Sequence, residues 1–164
     1  MGKEAVAEEF FQRGEELLAG GDKNSALECF RQAYRIDPSL ARYCSAYGLG
    51  IALVERRFKY AKGLCEQAVK TSPKDPKLRH NLARVYLCFG FRAEGIRVIG
   101  KGLEIDPDYR PLFRELRKLG FRRPPVIPFL GRSNLINRML GKLRTRLGVG
   151  RSKDQSLQAL SNRV

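Results

Sequence analysis

Between Ala7 and Asp108 the apolar positions recur three and four residues apart, and one arrangement of them returns three times. The first copy sets Phe10, Gly14 and Leu17 ahead of Ala26, Phe30 and Ala33 and closes at Pro38. The second runs through Tyr47, Gly48 and Ile51 to Ala61, Cys65 and Ala68 and closes at Pro73. The third carries Leu82, Ala83 and Tyr86, then Gly95, Ile99 and Gly102, and closes at Pro107. The prolines stand 35 and then 34 residues apart. Spacings of i, i+3, i+4 and i+7 put one apolar stripe on a helix, unlike the strict alternation of a strand. Each copy therefore predicts two helices that bury their stripes against each other and against the next pair.

Each copy is small where two helices must touch closely, at Gly14 and Ala26 in the first and at Ala83 and Gly95 in the third. Pro38, Pro73 and Pro107 follow Asp or Ser and disfavour helix at the residue before them, which ends the second helix of each pair. Short turns divide the pairs: Gly20-Gly21-Asp22 in the first and Cys88-Phe89-Gly90 in the third. The second has Glu55-Arg56-Arg57 there and needs one extra residue to keep register.

A period of about 34 residues built from such helix pairs resembles the tetratricopeptide repeat family. The likeness covers roughly residues 7–108, as three repeats at about 7–40, 41–75 and 76–109. The aromatic that the family prefers early in the first helix is Phe10 in one copy, but Cys44 and Arg79 in the others. The resemblance implies an all-α fold: a helix-turn-helix solenoid, wound as a right-handed superhelix, with a concave groove lined by the first helices. In that family, positions two, five, six, nine and twelve of the first helix face the groove. Carried over, they give Phe11 and Glu15 in the first repeat, Leu49 in the second, and Lys77, His80, Asn81 and Arg84 in the third as candidate partner contacts. Tetratricopeptide co-chaperones that hold the C-terminal carboxylate of heat-shock chaperones use Lys and Asn in the first repeat, Asn in the second, and Lys and Arg in the third. Only Lys77 matches; Phe11 and Glu15 stand where Lys and Asn belong, and Glu15 repels a carboxylate. The expected partner is therefore a peptide or helix of another protein, and not a chaperone tail held in that clamp.

After the third copy, residues 109–120 read as a capping helix, with Leu112, Phe113, Leu116 and Leu119 on one side and Arg114, Arg117 and Lys118 on the other. Pro124, Pro125 and Pro128 then keep residues 121–133 extended. Arg122, Pro125 and Pro128 have the Arg-x-x-Pro-x-x-Pro spacing that polyproline-binding domains read, yet Val126, Ile127, Phe129 and Leu130 favour packing back on the solenoid. Residues 134–147 predict a basic amphipathic helix in which Leu135, Ile136, Met139, Leu140, Leu143 and Leu147 oppose Arg138, Lys142, Arg144 and Arg146. Residues 148–164 are mostly small and polar, the pattern of a flexible tail.

Charge separates these two halves. The chain has a formal net charge of +15, yet residues 1–108 hold 18 Lys/Arg against 15 Asp/Glu, while residues 109–164 hold 14 against 2. Basicity of that kind points to an anionic partner for the extension: nucleic acid, or an acidic membrane or protein face. Arg138, Lys142, Arg144 and Arg146 are its candidate contacts. A third reading has the extension occupy its own groove and regulate access.

Chemistry narrows the picture further. Cys29, Cys44, Cys65 and Cys88 form no Cys-x-x-Cys pair, and His80 is the single histidine, so no metal site is expected. Buried thiols in a reducing compartment are the simpler reading. No glycine loop for phosphate and no nucleophile-base set is present, so an enzyme is not expected and no cofactor is called for. Acidic residues Glu4, Glu8 and Glu9 stand where a signal peptide is apolar, Val6 stands where a myristoylation motif needs Ser or Thr, and no run is long and apolar enough for a membrane span. The expectation is a cytoplasmic, non-enzymatic protein-interaction scaffold.

Overall fold

The computed structural model describes residues 2–120. Within them lie seven helices: α1 (Lys3–Ala19), α2 (Lys23–Ile36), α3 (Ala41–Val54), α4 (Phe58–Thr71), α5 (Pro76–Cys88), α6 (Arg92–Ile105) and α7 (Arg110–Lys118). No strand occurs among the described residues. The expected Pro-rich segment, the basic helix with Arg138, Lys142, Arg144 and Arg146, and the C-terminal stretch lie outside them.

Helices pack in order as antiparallel pairs, and each first helix also contacts the first helix of the pair that follows it from α3 onward. Every second helix ends two residues before its proline: α2 at Ile36 before Pro38, α4 at Thr71 before Pro73, α6 at Ile105 before Pro107. Starts are capped where the sequence allows. The Asp22 carboxylate accepts from the Ser25 amide at 3.0 Å, and Asp75 accepts from the Lys77 amide at 2.8 Å ahead of Pro76.

Two clusters make the core. Ala7, Phe11, Ala26, Phe30, Ala33, Tyr43 and Ala46 fill the first pair and its junction with the second. The other cluster runs from Leu27 through Leu49, Ile51 and Cys65 to Leu82 and Val85. The helices come close because of glycine: a Cβ on Gly14 would lie 2.6 Å from the Phe30 ring, so no larger residue fits without displacing that ring. Gly102 does the same for α7, since the Leu112 side chain sits where its Cβ would be.

The turns differ from the sequence expectation in one detail. The third turn is Phe89-Gly90-Phe91, because Cys88 is still helical. All three turns are the same length, and the second repeat takes up its extra residue between Gly48 and Arg56, α3 being 14 residues long against 13 for α5. Each turn has its middle residue in the left-handed region: Gly21 (φ 93°), Gly90 (φ 81°) and, without the freedom of glycine, Arg56 (φ 58°). Arg56 lies 4.8 Å above the Phe89 ring and donates to Cys88 Sγ, contacts that oppose its backbone strain.

The missing early aromatics also find substitutes. Cys44 is buried and its thiol donates to the Leu64 carbonyl at 3.3 Å. Arg79 reaches back to the Pro73 carbonyl, tying α5 to the loop before it.

Candidate functional site

The odd-numbered helices α1, α3, α5 and α7 face one open cavity of about 590 Å³. Helical periodicity decides which side chains reach it. On α5, Lys77, His80, Asn81 and Arg84 lie at i, i+3, i+4 and i+7 and form a single stripe. Opposite them stand Glu15 and Leu18 of α1 and Leu49 of α3, and Tyr109, Pro111, Arg114, Glu115 and Lys118 close the far end.

Six of the seven residues expected in a groove therefore line this cavity: Glu15, Leu49, Lys77, His80, Asn81 and Arg84. Two of the six offer little surface. Leu49 is 1 % exposed and Asn81 6 %, and the Asn81 amide donates to Ser45 Oγ at 3.1 Å within the core. They form the floor. Phe11 is 5 % exposed and packs between core rings, tilted against Tyr43 at 5.2 Å and Phe30 at 6.1 Å. What Phe11 presents outward is its ring face, over which Lys77 Nζ and the Arg42 guanidinium lie at 5.1 and 5.6 Å.

Ion pairs span the cavity between repeats. Lys77 Nζ lies 2.6 Å from Glu15 Oε2, joining the third repeat to the first. Beside it, Arg42 pairs with Glu8 at 2.7 Å and the Tyr43 hydroxyl donates to Glu8 at 2.8 Å. Burial raises the Glu8 carboxyl, but the Tyr43 and Gln12 hydrogen bonds and the charges of Arg42 and Lys77 outweigh it and hold the group below its ordinary range.

At the other end α7 supplies what the sequence reading did not assign to the site. Glu115 is buried and faces α5, 3.4 Å from His80 Nε2 and 2.9 Å from its neighbour Lys118. Burial alone raises its carboxyl, yet the His80 and Lys118 hydrogen bonds and charges bring it down to about 2. Tyr109 stacks edge-on to His80 with centroids 6.2 Å apart. One signal was available in the sequence: Glu115 is the single acidic residue between positions 109 and 153. Arg84 completes the stripe. It is half-buried, and burial pushes its guanidinium down against the opposing pull of Glu115, Cys88 and Glu15.

Burial pushes the Cys44 thiol up to about 11 and the Cys65 thiol up to about 12, so both stay protonated and inert. Among the described residues no three His, Cys, Asp or Glu side chains gather as metal ligands, and no helix is long and apolar enough to cross a membrane.

Comparison with solved structures shows the same fold. A tetratricopeptide domain of Arabidopsis OM64 superposes with a TM-score of 0.58 at 17 % identity, over 73 % of this chain and 98 % of that one. The first such domain of Spaghetti (RPAP3), solved with the HSP90 peptide SRMEEVD, gives 0.57 at 18 % identity over 71 % and 94 %. An O-GlcNAc transferase from Thermobaculum terrenum gives 0.61 at 22 % identity, this chain matching 71 % of its length to 22 % of the enzyme. No family model matches the sequence, and no curated protein matches it significantly. The tetratricopeptide solenoid is thus the fold of residues 2–120, carried by geometry at low identity.

Proposed function

We propose that this protein is a non-enzymatic interaction scaffold that takes a peptide or helix of another protein along the face formed by α1, α3, α5 and α7. The observation that carries this reading is the open 590 Å³ cavity on that face, lined by side chains from all three helix pairs and from α7. Two structurally similar domains were solved in chaperone complexes, Spaghetti with an HSP90 peptide and yeast Sti1 as a pHsp70 complex, which supports a protein partner. The mode differs from a chaperone carboxylate clamp in this reading, because Lys77, the one matching cation, is already engaged by Glu15 at 2.6 Å. Glu15, Lys77, His80 and Arg84 are the contacts with surface to offer, and Phe11, Leu49 and Asn81 shape the floor beneath them.

A peptide library displayed against the full chain tests it. Ala19 lines the cavity and is exposed, so Ala19→Trp fills the groove without disturbing the core. Peptides enriched on the wild type and lost on Ala19→Trp support the groove; peptides held equally by both overturn it.

The second reading rests on charge. Residues 109–164 carry 14 Lys/Arg against 2 Asp/Glu, so the extension, through Arg138, Lys142, Arg144 and Arg146, binds nucleic acid or an anionic membrane or protein surface. Filter binding or liposome flotation at two salt concentrations decides: affinity that falls steeply with salt supports it, and absent or salt-insensitive binding sinks it.

A further inference from the structure

Building on the reading of this face as a peptide groove, we infer that its C-terminal half is a carboxylate subsite. Arg84 of α5, with Arg114 of α7 at the rim, receives an aspartate or glutamate side chain from an acidic partner segment. The site is separate from the positions of a C-terminal carboxylate clamp, where Lys77 is already spent on Glu15 and Asn81 is buried against Ser45.

The charged groups of the cavity sort into satisfied and unsatisfied. Glu15 holds Lys77 at 2.6 Å, and Glu115 holds Lys118 at 2.9 Å with His80 at 3.4 Å. Arg84 and Arg114 line the same space, and neither makes an ion pair or side-chain hydrogen bond among the described residues. Arg114 is exposed, where water solvates it at little cost. Arg84 is half-buried, so it has lost part of its hydration without gaining a hydrogen-bonding acceptor among the described residues. A planar guanidinium with five donors in a fixed fork recovers that loss best against a carboxylate, which accepts two parallel bonds. Burial also disfavours the charged form of Arg84, the pull of Glu115, Cys88 and Glu15 offsets part of that penalty, and an arriving anion offsets more of it.

The rest of the lining selects the surroundings of that anion. Lys77, Arg84, Arg114 and Lys118 outnumber Glu15 and Glu115, giving a field that favours acidic chains and slows cationic ones. Leu18, Tyr109 and Pro111 supply apolar contact beside it. The fitting ligand is an internal acidic residue with an apolar neighbour in an extended or helical segment.

The test uses the full chain and fluorescence anisotropy. The probe is a labelled ten-residue peptide of Glu, Asp and Leu, amidated at its C-terminus, beside its Gln/Asn/Leu counterpart. Arg84→Met is expected to weaken the acidic peptide by about tenfold, the loss of one charge-assisted contact, and to leave the amide peptide unchanged. Arg114→Gln, at an exposed position, is expected to weaken it several-fold and keeps the test decisive should Arg84→Met fail to fold by circular dichroism. The Arg84 effect is expected to persist with Arg138, Lys142, Arg144 and Arg146 all changed to Gln. Acidic-peptide binding that Arg84→Met and Arg114→Gln leave within twofold overturns the subsite, as does an equal loss for the amide peptide. Ala19→Trp separates the two failures: binding lost with Ala19→Trp but kept with Arg84→Met leaves the groove and removes the subsite, while binding kept in both removes both.

Discussion

Lys77 Nζ meets Glu15 Oε2 at 2.6 Å although 62 residues separate them in the chain. The contact joins the first turn of α5 to the last turns of α1 and bridges the candidate groove. The charge of Glu15 is thereby matched within the protein.

Because both partners are more than a third exposed, with side-chain exposures of 37 % and 40 %, the pair contributes little to stability. A double-mutant cycle on Lys77→Met and Glu15→Gln is expected to give a coupling below about 1 kcal/mol in urea unfolding. Glu15→Gln is expected to strengthen binding of an acidic peptide by freeing Lys77. A weakened acidic peptide would overturn the argument that the charge of Glu15 opposes it.

Glu115 makes stability depend on acid. Its folded carboxyl lies at about 2, below the ordinary carboxylate value, so its contribution is complete above the unfolded value near 4.3 and is lost as pH falls toward 2. Glu115→Gln is expected to cost about 2–3 kcal/mol at pH 7. Urea unfolding at stepped pH checks it: the gap to wild type should shrink between about pH 5 and pH 2. A gap constant over that window would remove the charge argument.

Gly14→Val drives a side chain into the Phe30 ring, 2.6 Å from where its Cβ must stand. Overpacking of this kind costs about 1–3 kcal/mol, more than the few tenths returned by better helix propensity. A lower thermal midpoint with an unchanged far-ultraviolet spectrum is the expected result. The same change at Gly63, where no atom lies within 4 Å of an added Cβ, is the control and should be close to neutral.

Arg56 sets two terms against each other. Its left-handed backbone, at φ 58°, costs about 1–2 kcal/mol, whereas its place over Phe89 returns about 0.5–1 kcal/mol. Arg56→Ala keeps the strain and loses the contact; Arg56→Gly loses both. Glycine is therefore expected to be more stable than alanine here by about 1 kcal/mol in urea unfolding. Equal stabilities would mean the backbone of the second turn relaxes.

Much of this architecture was legible in the chain. Helix pairs follow from apolar spacing, and their ends follow from Pro38, Pro73 and Pro107, because both signals act within a few residues and need no distant partner. The stripe Lys77, His80, Asn81 and Arg84 was readable for the same reason. The extra residue of the second repeat was also legible from the proline spacing, but its place between Gly48 and Arg56 shows only once Arg56 takes the position of Gly21 and Gly90.

The sequence by itself determined the solenoid and which helix face is apolar, since periodicity is a property of consecutive residues. Only the tertiary structure decided what each groove residue is worth. Phe11 and Asn81, expected in the groove, are spent on the core, Lys77 is neutralised by a residue two repeats away, and α7 brings Glu115 to His80. Pairing and desolvation depend on which charges meet in space, and no local pattern encodes a meeting across 35 or 62 residues.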